Sequence, residues 1–181
     1  MQDVVIDKQQ FRQACGRFAT GVTVTTVLGG DGAPYGITVS SFTSVSLTPP
    51  LVLVCVDHRS HLIQHFQEGR PFGINVLCEH QHELSNRFSR NGPDRFEGVR
   101  WHPGSTGVPL LPGVLATFEC RLVDSKSAGD HLILIGEVVH IAYNDGHPLT
   151  YFRSSYRSVM QELRDRSIAE AADPAAFQQS A

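Results

Sequence analysis

The chain has 181 residues, 41% hydrophobic and 18% charged, enough apolar material for one domain with a buried core and too much for a disordered polymer. Its net charge of -3 and pI near 6.3 provide no basic surplus for nucleic acid. Residues 1–10 lack the basic flank and apolar run of a secretory signal, and the longest apolar runs, Leu51–Val56 and Leu132–Ile135, are too short to cross a membrane, so a cytoplasmic location is expected.

In chain order, Asp7 predicts the N-cap of a helix over Lys8–Phe18, with Phe11, Cys15 and Phe18 on one face. Gly21–Leu28 predicts a strand, because its threonines and valines are β-branched. The Gly29-Gly30-Asp31-Gly32 run predicts a turn, Pro34–Ser46 an extended segment ended by Pro49-Pro50, and Leu51–Val56 a buried strand. Ser60 caps a predicted helix carrying Leu62, Ile63 and Phe66, which Gly69 ends. Phe72–Leu77 is a further strand, followed by a helix with Leu84 and Phe88 one turn apart. Residues 89–113, rich in Gly, Pro and Asn, predict a long loop or flap. Two strands, 116–125 and 131–143, form a hairpin through Ser127-Ala128-Gly129-Asp130. A helix is predicted after Tyr156, with Val159 and Leu163 on one face and a Glu162–Arg166 pair. The domain thus runs over 1–157, with a C-terminal helix and tail over 158–181. Without βαβα alternation, a mainly β fold with short helices, an antiparallel sheet closing into a barrel, is expected.

The cysteines, Cys15, Cys55, Cys78 and Cys120, are widely spaced and predict buried free thiols. His80 and His82 are two residues apart, the wrong spacing for one helix face, and no metal site is expected. No Gly-x-Gly-x-x-Gly is present, so a nicotinamide cofactor would have to bind without a Rossmann unit.

Three segments have the chemistry for a ligand. Seven of the twelve residues in Ile37–Thr48 carry hydroxyls, which can hydrogen-bond a phosphate or a polar ring edge, or simply form a polar strand face. Asp57-His58-Arg59-Ser60-His61 joins a strand to a helix start and adds a guanidinium, a setting for an anion or for an ordinary solvated helix end. Gly129-Asp130-His131 places an imidazole beside a carboxylate that can fix its tautomer, or is a turn with a half-buried histidine.

Four blocks, read together, carry a resemblance. They are Phe18–Val24; Gly36–Leu47 with Pro50–Val54; Asn75–Leu77 with Gln81, Leu84-Ser85 and Arg87-Phe88; and Gly129–His131 with Ile135–Val138 and Pro148–Tyr151. From about Phe11 to Tyr156 the chain resembles the short-chain flavin reductases, reductase components of two-component flavin-dependent monooxygenases with the FMN-binding split β-barrel fold, antiparallel and Greek-key-like. The resemblance implies that Thr38, Val39, Ser40, Ser41, Phe42, Ser44 and Val45 contact the flavin, FMN or FAD. It implies that Arg59, Ser60 and His61 meet its phosphate and that Ser85, Arg87 and Phe88 complete that side. It further implies that His131 borders the nicotinamide of NADH or NADPH and orients it, with Arg153 and Tyr156 near the same pocket. A homodimer is implied, with a separate oxygenase receiving the reduced flavin. A non-catalytic flavin carrier of the same fold is the alternative. A vitamin-phosphate oxidase fits less well, since its extra phosphate-binding Lys and Arg residues are not apparent. Arg90, Arg95 and Arg100 could reach a 2′-phosphate or be solvated loop charges.

Overall fold

β-Branched runs separated by Gly and Pro turns generate most of the elements. The computed structural model describes residues 6–159 except 91 and 93. Its elements are α1 (Lys8–Cys15), β1 (Thr20–Gly21), β2 (Thr23–Leu28), β3 (Pro34–Val39), β4 (Thr43–Leu47), β5 (Pro50–Asp57), β6 (Pro71–Val76), α2 (His82–Ser89), β7 (His102–Pro103), β8 (Pro109–Leu110), β9 (Ala116–Ala128), β10 (His131–Tyr143), β11 (Leu149–Phe152) and β12 (Ser155–Ser158). Short 3-10 turns cover His61–His65, Glu79–Gln81 and Asp94–Phe96.

Seven strands form one sheet in the order β3-β2-β6-β9-β10-β5-β4, and β1, β11 and β12 form a second; every named pairing is antiparallel. β3 and β4 lie at opposite edges of the seven-stranded sheet, yet only residues 40–42 join them. Laid flat, six strand spacings would separate those edges by about 29 Å. Four Cα steps reach only about 15 Å. The sheet must therefore curl until its edges meet. Ser41 fastens the closure, its Oγ accepting from Cys55 N at 2.8 Å and donating to Cys55 O at 3.1 Å. The result is the antiparallel split barrel expected from the sequence.

The barrel interior holds Val52, Val54, Val56, Phe72, Ile74, Cys120, Leu122 and Leu134. β5 buries only alternate residues, although its sequence is continuously apolar, because its other face is less completely covered. A second cluster of Val22, Val24, Leu77, Phe88, Leu111, Val114 and Leu149 lies under α2. Buried Asn75 joins the strands to the segment after α2: its Nδ2 donates to Val24 O and its Oδ1 accepts from Leu111 N at 2.8 Å. An unpaired amide there would be costly, and this one is satisfied at both ends.

Several expectations change. α1 stops at Cys15 and buries none of its residues, and Phe11, Cys15 and Phe18 of its expected apolar face are exposed. The four cysteines are free, but only Cys78 and Cys120 are buried. The helix expected after Ser60 is one 3-10 turn, His61–His65. Residues 89–113 are no open flap, since Val108, Leu110 and Leu111 are buried and Thr26 Oγ1 donates to Pro109 O at 2.6 Å. Tyr156 lies in β12, which ends at Ser158. Leu163, the Glu162–Arg166 pair and the rest of the expected C-terminal helix lie outside the described residues.

Candidate active site

The β9–β10 turn delivers the imidazole. Gly129 takes a positive φ of 62°, which a Cβ would disfavour, and His131 follows as the first residue of β10. His131 Nδ1 donates to Asp130 Oδ1 at 2.7 Å. That bond assigns the proton to Nδ1 and leaves Nε2 as the unprotonated ring nitrogen of a side chain 43% exposed. The imidazole in turn holds the Asp130 carboxyl below the usual aspartate range.

Directly across the ladder from His131 is Asp57, the last residue of β5. Asp57 receives Arg59 in a forked pair, Nε at 3.1 Å from Oδ1 and Nη2 at 2.6 Å from Oδ2. The pair holds the Asp57 carboxyl far below its ordinary value and raises Arg59. His58 joins the same corner, its Nε2 lying 2.9 Å from Ser127 Oγ and its backbone N–H donating to Asp130 O. Ser60 is spent locally, accepting from Leu62 N at 3.3 Å.

The hydroxyl-rich segment splits into the end of β3, the link 40–42 and β4. Three of its hydroxyls bond the backbone: Ser41 to Cys55, Thr38 Oγ1 donating to Ser85 O at 2.7 Å, and Ser46 Oγ accepting from Thr48 N at 3.2 Å. Ser40, Ser44 and Val45 are exposed, Val39 is buried, and Phe42 packs on Phe118 with ring centroids 5.3 Å apart. Because Ser41 is fastened to Cys55, two residues before Asp57, the link sits near the corner that carries Arg59 and His131.

The family-model match completes the geometry. Residues 15–160 match the flavin reductase like domain. The chain belongs to that flavin reductase family. It is 47% identical over 145 residues to FMN reductase (NADH) SmoA of Agrobacterium fabrum (strain C58 / ATCC 33970), covering 80% of this chain and 82% of that one. It is 40% identical to the reductase component of a 4-nitrophenol 4-monooxygenase/4-nitrocatechol 2-monooxygenase from Rhodococcus opacus, covering 83% of this chain and 80% of the relative. Among solved structures, the NADH:FAD oxidoreductase SgcE6 of Streptomyces globisporus C-1027, in complex with NAD and FAD fragments, superposes with a TM-score of 0.79 at 37% identity, over 83% of this chain and 92% of that one. The chain spans 49% of a 45%-identical relative from Rhizobium meliloti (strain 1021).

The remaining flavin reductase positions gather around α2. Ser85 and Phe88 are fully buried, so they back the site and do not line it. Ser85 Oγ lies 2.8 Å from Tyr156 OH, and that phenol donates to Asn86 Oδ1 at 3.0 Å. Arg87 donates to Arg95 O at 2.9 Å and to Glu97 O, tying α2 to the next turn. Arg153 sits in the β11–β12 turn at φ 49°, followed by Ser154 at φ 60°, and its N–H donates to Gly16 O. Ser85, Asn86, Thr38 and Tyr156 form one network, whereas Arg59 and His131 belong to the β5–β10 corner. Sequence reasoning gave no role to Asp57 or Asn86. Asp57 was legible as an acid two residues from Arg59; Asn86 had no signal beyond its place beside Ser85.

Proposed function

We propose that this chain is an NAD(P)H:flavin oxidoreductase that reduces FMN or FAD and releases the reduced flavin to a partner monooxygenase. The observation that carries this reading is the corner where His131, its Nδ1 bonded to Asp130, lies opposite the Asp57–Arg59 pair. The donor set fits a flavin and a nicotinamide. Arg59 is a guanidinium on the surface for a phosphate, Ser40 and Ser44 are exposed hydroxyls, and Val45 is an exposed apolar side chain for a ring. Relatives named as NADH-dependent flavin reductases and as monooxygenase reductase components support the same reading.

A flavin held by these residues would supply the hydride-accepting ring for a reduced nicotinamide, with the accompanying proton available from solvent. The protein needs no nucleophile or buried acid for this, only placement. His131 is the residue proposed to border and orient the nicotinamide, and its Asp130 bond keeps Nε2 free for that contact. Arg59 is proposed to hold the flavin phosphate, with Thr38, Val39, Ser40, Ser41, Phe42, Ser44 and Val45 supplying the strand against the flavin. Ser60, His61, Ser85, Arg87, Phe88, Arg153 and Tyr156 complete the site.

A homodimer is proposed, in keeping with the exposure of Phe11, Phe18, Val45, Leu47 and Tyr143, large apolar side chains that a second copy could cover. The cytoplasm is the proposed location; free cysteines accord with it, and among the described residues no helix is long and apolar enough to cross a membrane. The domain is proposed to end near 157.

The competing carrier reading predicts retention of flavin. Anaerobic mixing with NADH and FMN, followed by rapid gel filtration, separates the two. Reduced flavin in the small-molecule fraction supports the reductase, whereas reduced flavin that stays with the protein favours the carrier.

A further inference from the structure

The β5–β10 corner carries two half-sites, Arg59 on one segment and His131 on the other, and His58 bridges them. His58 stands between Asp57 and Arg59 in the chain. Its backbone N–H donates to Asp130 O at 3.0 Å, and its Nε2 lies 2.9 Å from Ser127 Oγ. Ser127 and Asp130 bracket Ala128 and Gly129 at the hairpin end that leads into His131. The segment that carries Arg59 is therefore tied to the β9–β10 hairpin on both sides of Gly129, once by backbone and once by the imidazole.

Charge also crosses between the half-sites. Arg59 is the main influence that lowers Asp57, but His131 adds to it. Asp57 is the main influence that raises Arg59, but Asp130 adds to it. Exposed contacts of this kind add little to overall stability, and the cross-strand ladder from Asp57–His131 to Leu51–Glu137 already fixes the strands. What the His58 bonds add is a contiguous path from one proposed ligand contact to the other, the physical requirement for coupling between sites. Holding Arg59 restrains its segment, His58 passes the restraint to the hairpin end, and a turn already ordered loses less freedom when its histidine meets a ligand.

We propose that His58 is a positioning residue that couples the two half-sites, so that a phosphate held by Arg59 tightens the contact of His131 with a nicotinamide. The proposal rests on the reductase reading, which assigns those two ligands to this corner.

The test measures flavin binding to the full chain by quenching of flavin fluorescence, with and without saturating NAD+, which carries the nicotinamide but has no hydride to give. NAD+ should tighten FMN about fivefold and leave riboflavin, which lacks the phosphate, unmoved. In His58→Ala and in Ser127→Ala, which remove the two ends of one bond, the effect on FMN should fall to about twofold or less, while His58→Gln, whose amide can still bond Ser127, should recover most of it. Both residues are exposed, so neither variant disturbs the core. An NAD+ effect equal for FMN and riboflavin, or one on FMN that is unchanged in both alanine variants, overturns the proposal. Weaker FMN binding with the NAD+ effect intact marks a merely structural role for His58 and overturns it too. NADH oxidation by the unaltered chain with FMN is measured alongside. Turnover without any NAD+ effect on FMN rejects the coupling alone, whereas no turnover rejects the reductase reading on which it depends.

Discussion

His131 and Asp57 are direct cross-strand partners at the end of β10 and β5. Each is held by a residue close to it in sequence, His131 by a hydrogen bond to Asp130 and Asp57 by an ion pair with Arg59. One corner of the barrel therefore presents two cationic or hydrogen-bonding groups, each held in orientation by its own aspartate. On the proposed reading, Arg59 addresses a phosphate there and His131 a nicotinamide.

His131→Ala should raise the KM for NADH about tenfold, the loss of one good ligand hydrogen bond, with little change in the KM for FMN. Steady-state kinetics with each substrate varied in turn decides the matter. A collapse of flavin affinity with unchanged NADH KM would assign the imidazole to the flavin instead.

Asp57→Asn should release Arg59 from its forked pair and weaken FMN several-fold while leaving riboflavin, which has no phosphate, nearly unaffected. The carboxyl of Asp57 is held far below its ordinary value by Arg59. It therefore stays ionised throughout the neutral range, and the KM for FMN should show no inflection from this group there. Equal losses for both flavins would remove Arg59 from the phosphate role.

Tyr156→Phe deletes the phenol that bonds buried Ser85 and also reaches Asn86. The stranded Ser85 hydroxyl should cost about 1–2 kcal/mol of stability. Thermal melts test it, and an unchanged Tm would mean that Ser85 finds another partner.

Glu119 is a stability residue away from the site. Burial pushes its carboxyl up, but hydrogen bonds from Thr106 Oγ1, Thr106 N and Ser105 N outweigh this and lower it. A depressed folded value contributes stability that is present above the ordinary glutamate range, near 4.5, and lost as pH falls through the folded value. Glu119→Ala should cost about 2 kcal/mol at neutral pH, about 4–8 °C in Tm, and should flatten the acid limb of the stability profile. An acid limb as steep as that of the parent would show that other carboxylates dominate it.

The strands were legible because β-branched runs between Gly and Pro turns are a local signal, and the Gly129–His131 turn stood out for the same reason. A barrel was expected from the run of strands without βαβα alternation, but how it closes was not legible, since the Ser41–Cys55 bonds that fasten it join residues fourteen apart in sequence by tertiary contact alone. The burial of Leu110 and Leu111 was hidden in a segment whose Gly and Pro content reads as loop; Asn75, thirty-six residues away from Leu111, holds it down. The Arg59–Asp57 pair was within sight of the sequence, but the fork itself depends on rotamers no spacing rule fixes. Cys15 looked buried because its helix carries an apolar face, yet the structure buries no residue of α1.

The most direct test is to mix the protein with NADH and follow the nicotinamide absorbance with and without FMN, FAD or riboflavin. The account predicts oxidation that is slow alone and fast with added flavin. Measurable flavin binding with no NADH or NADPH oxidation in any combination would contradict it.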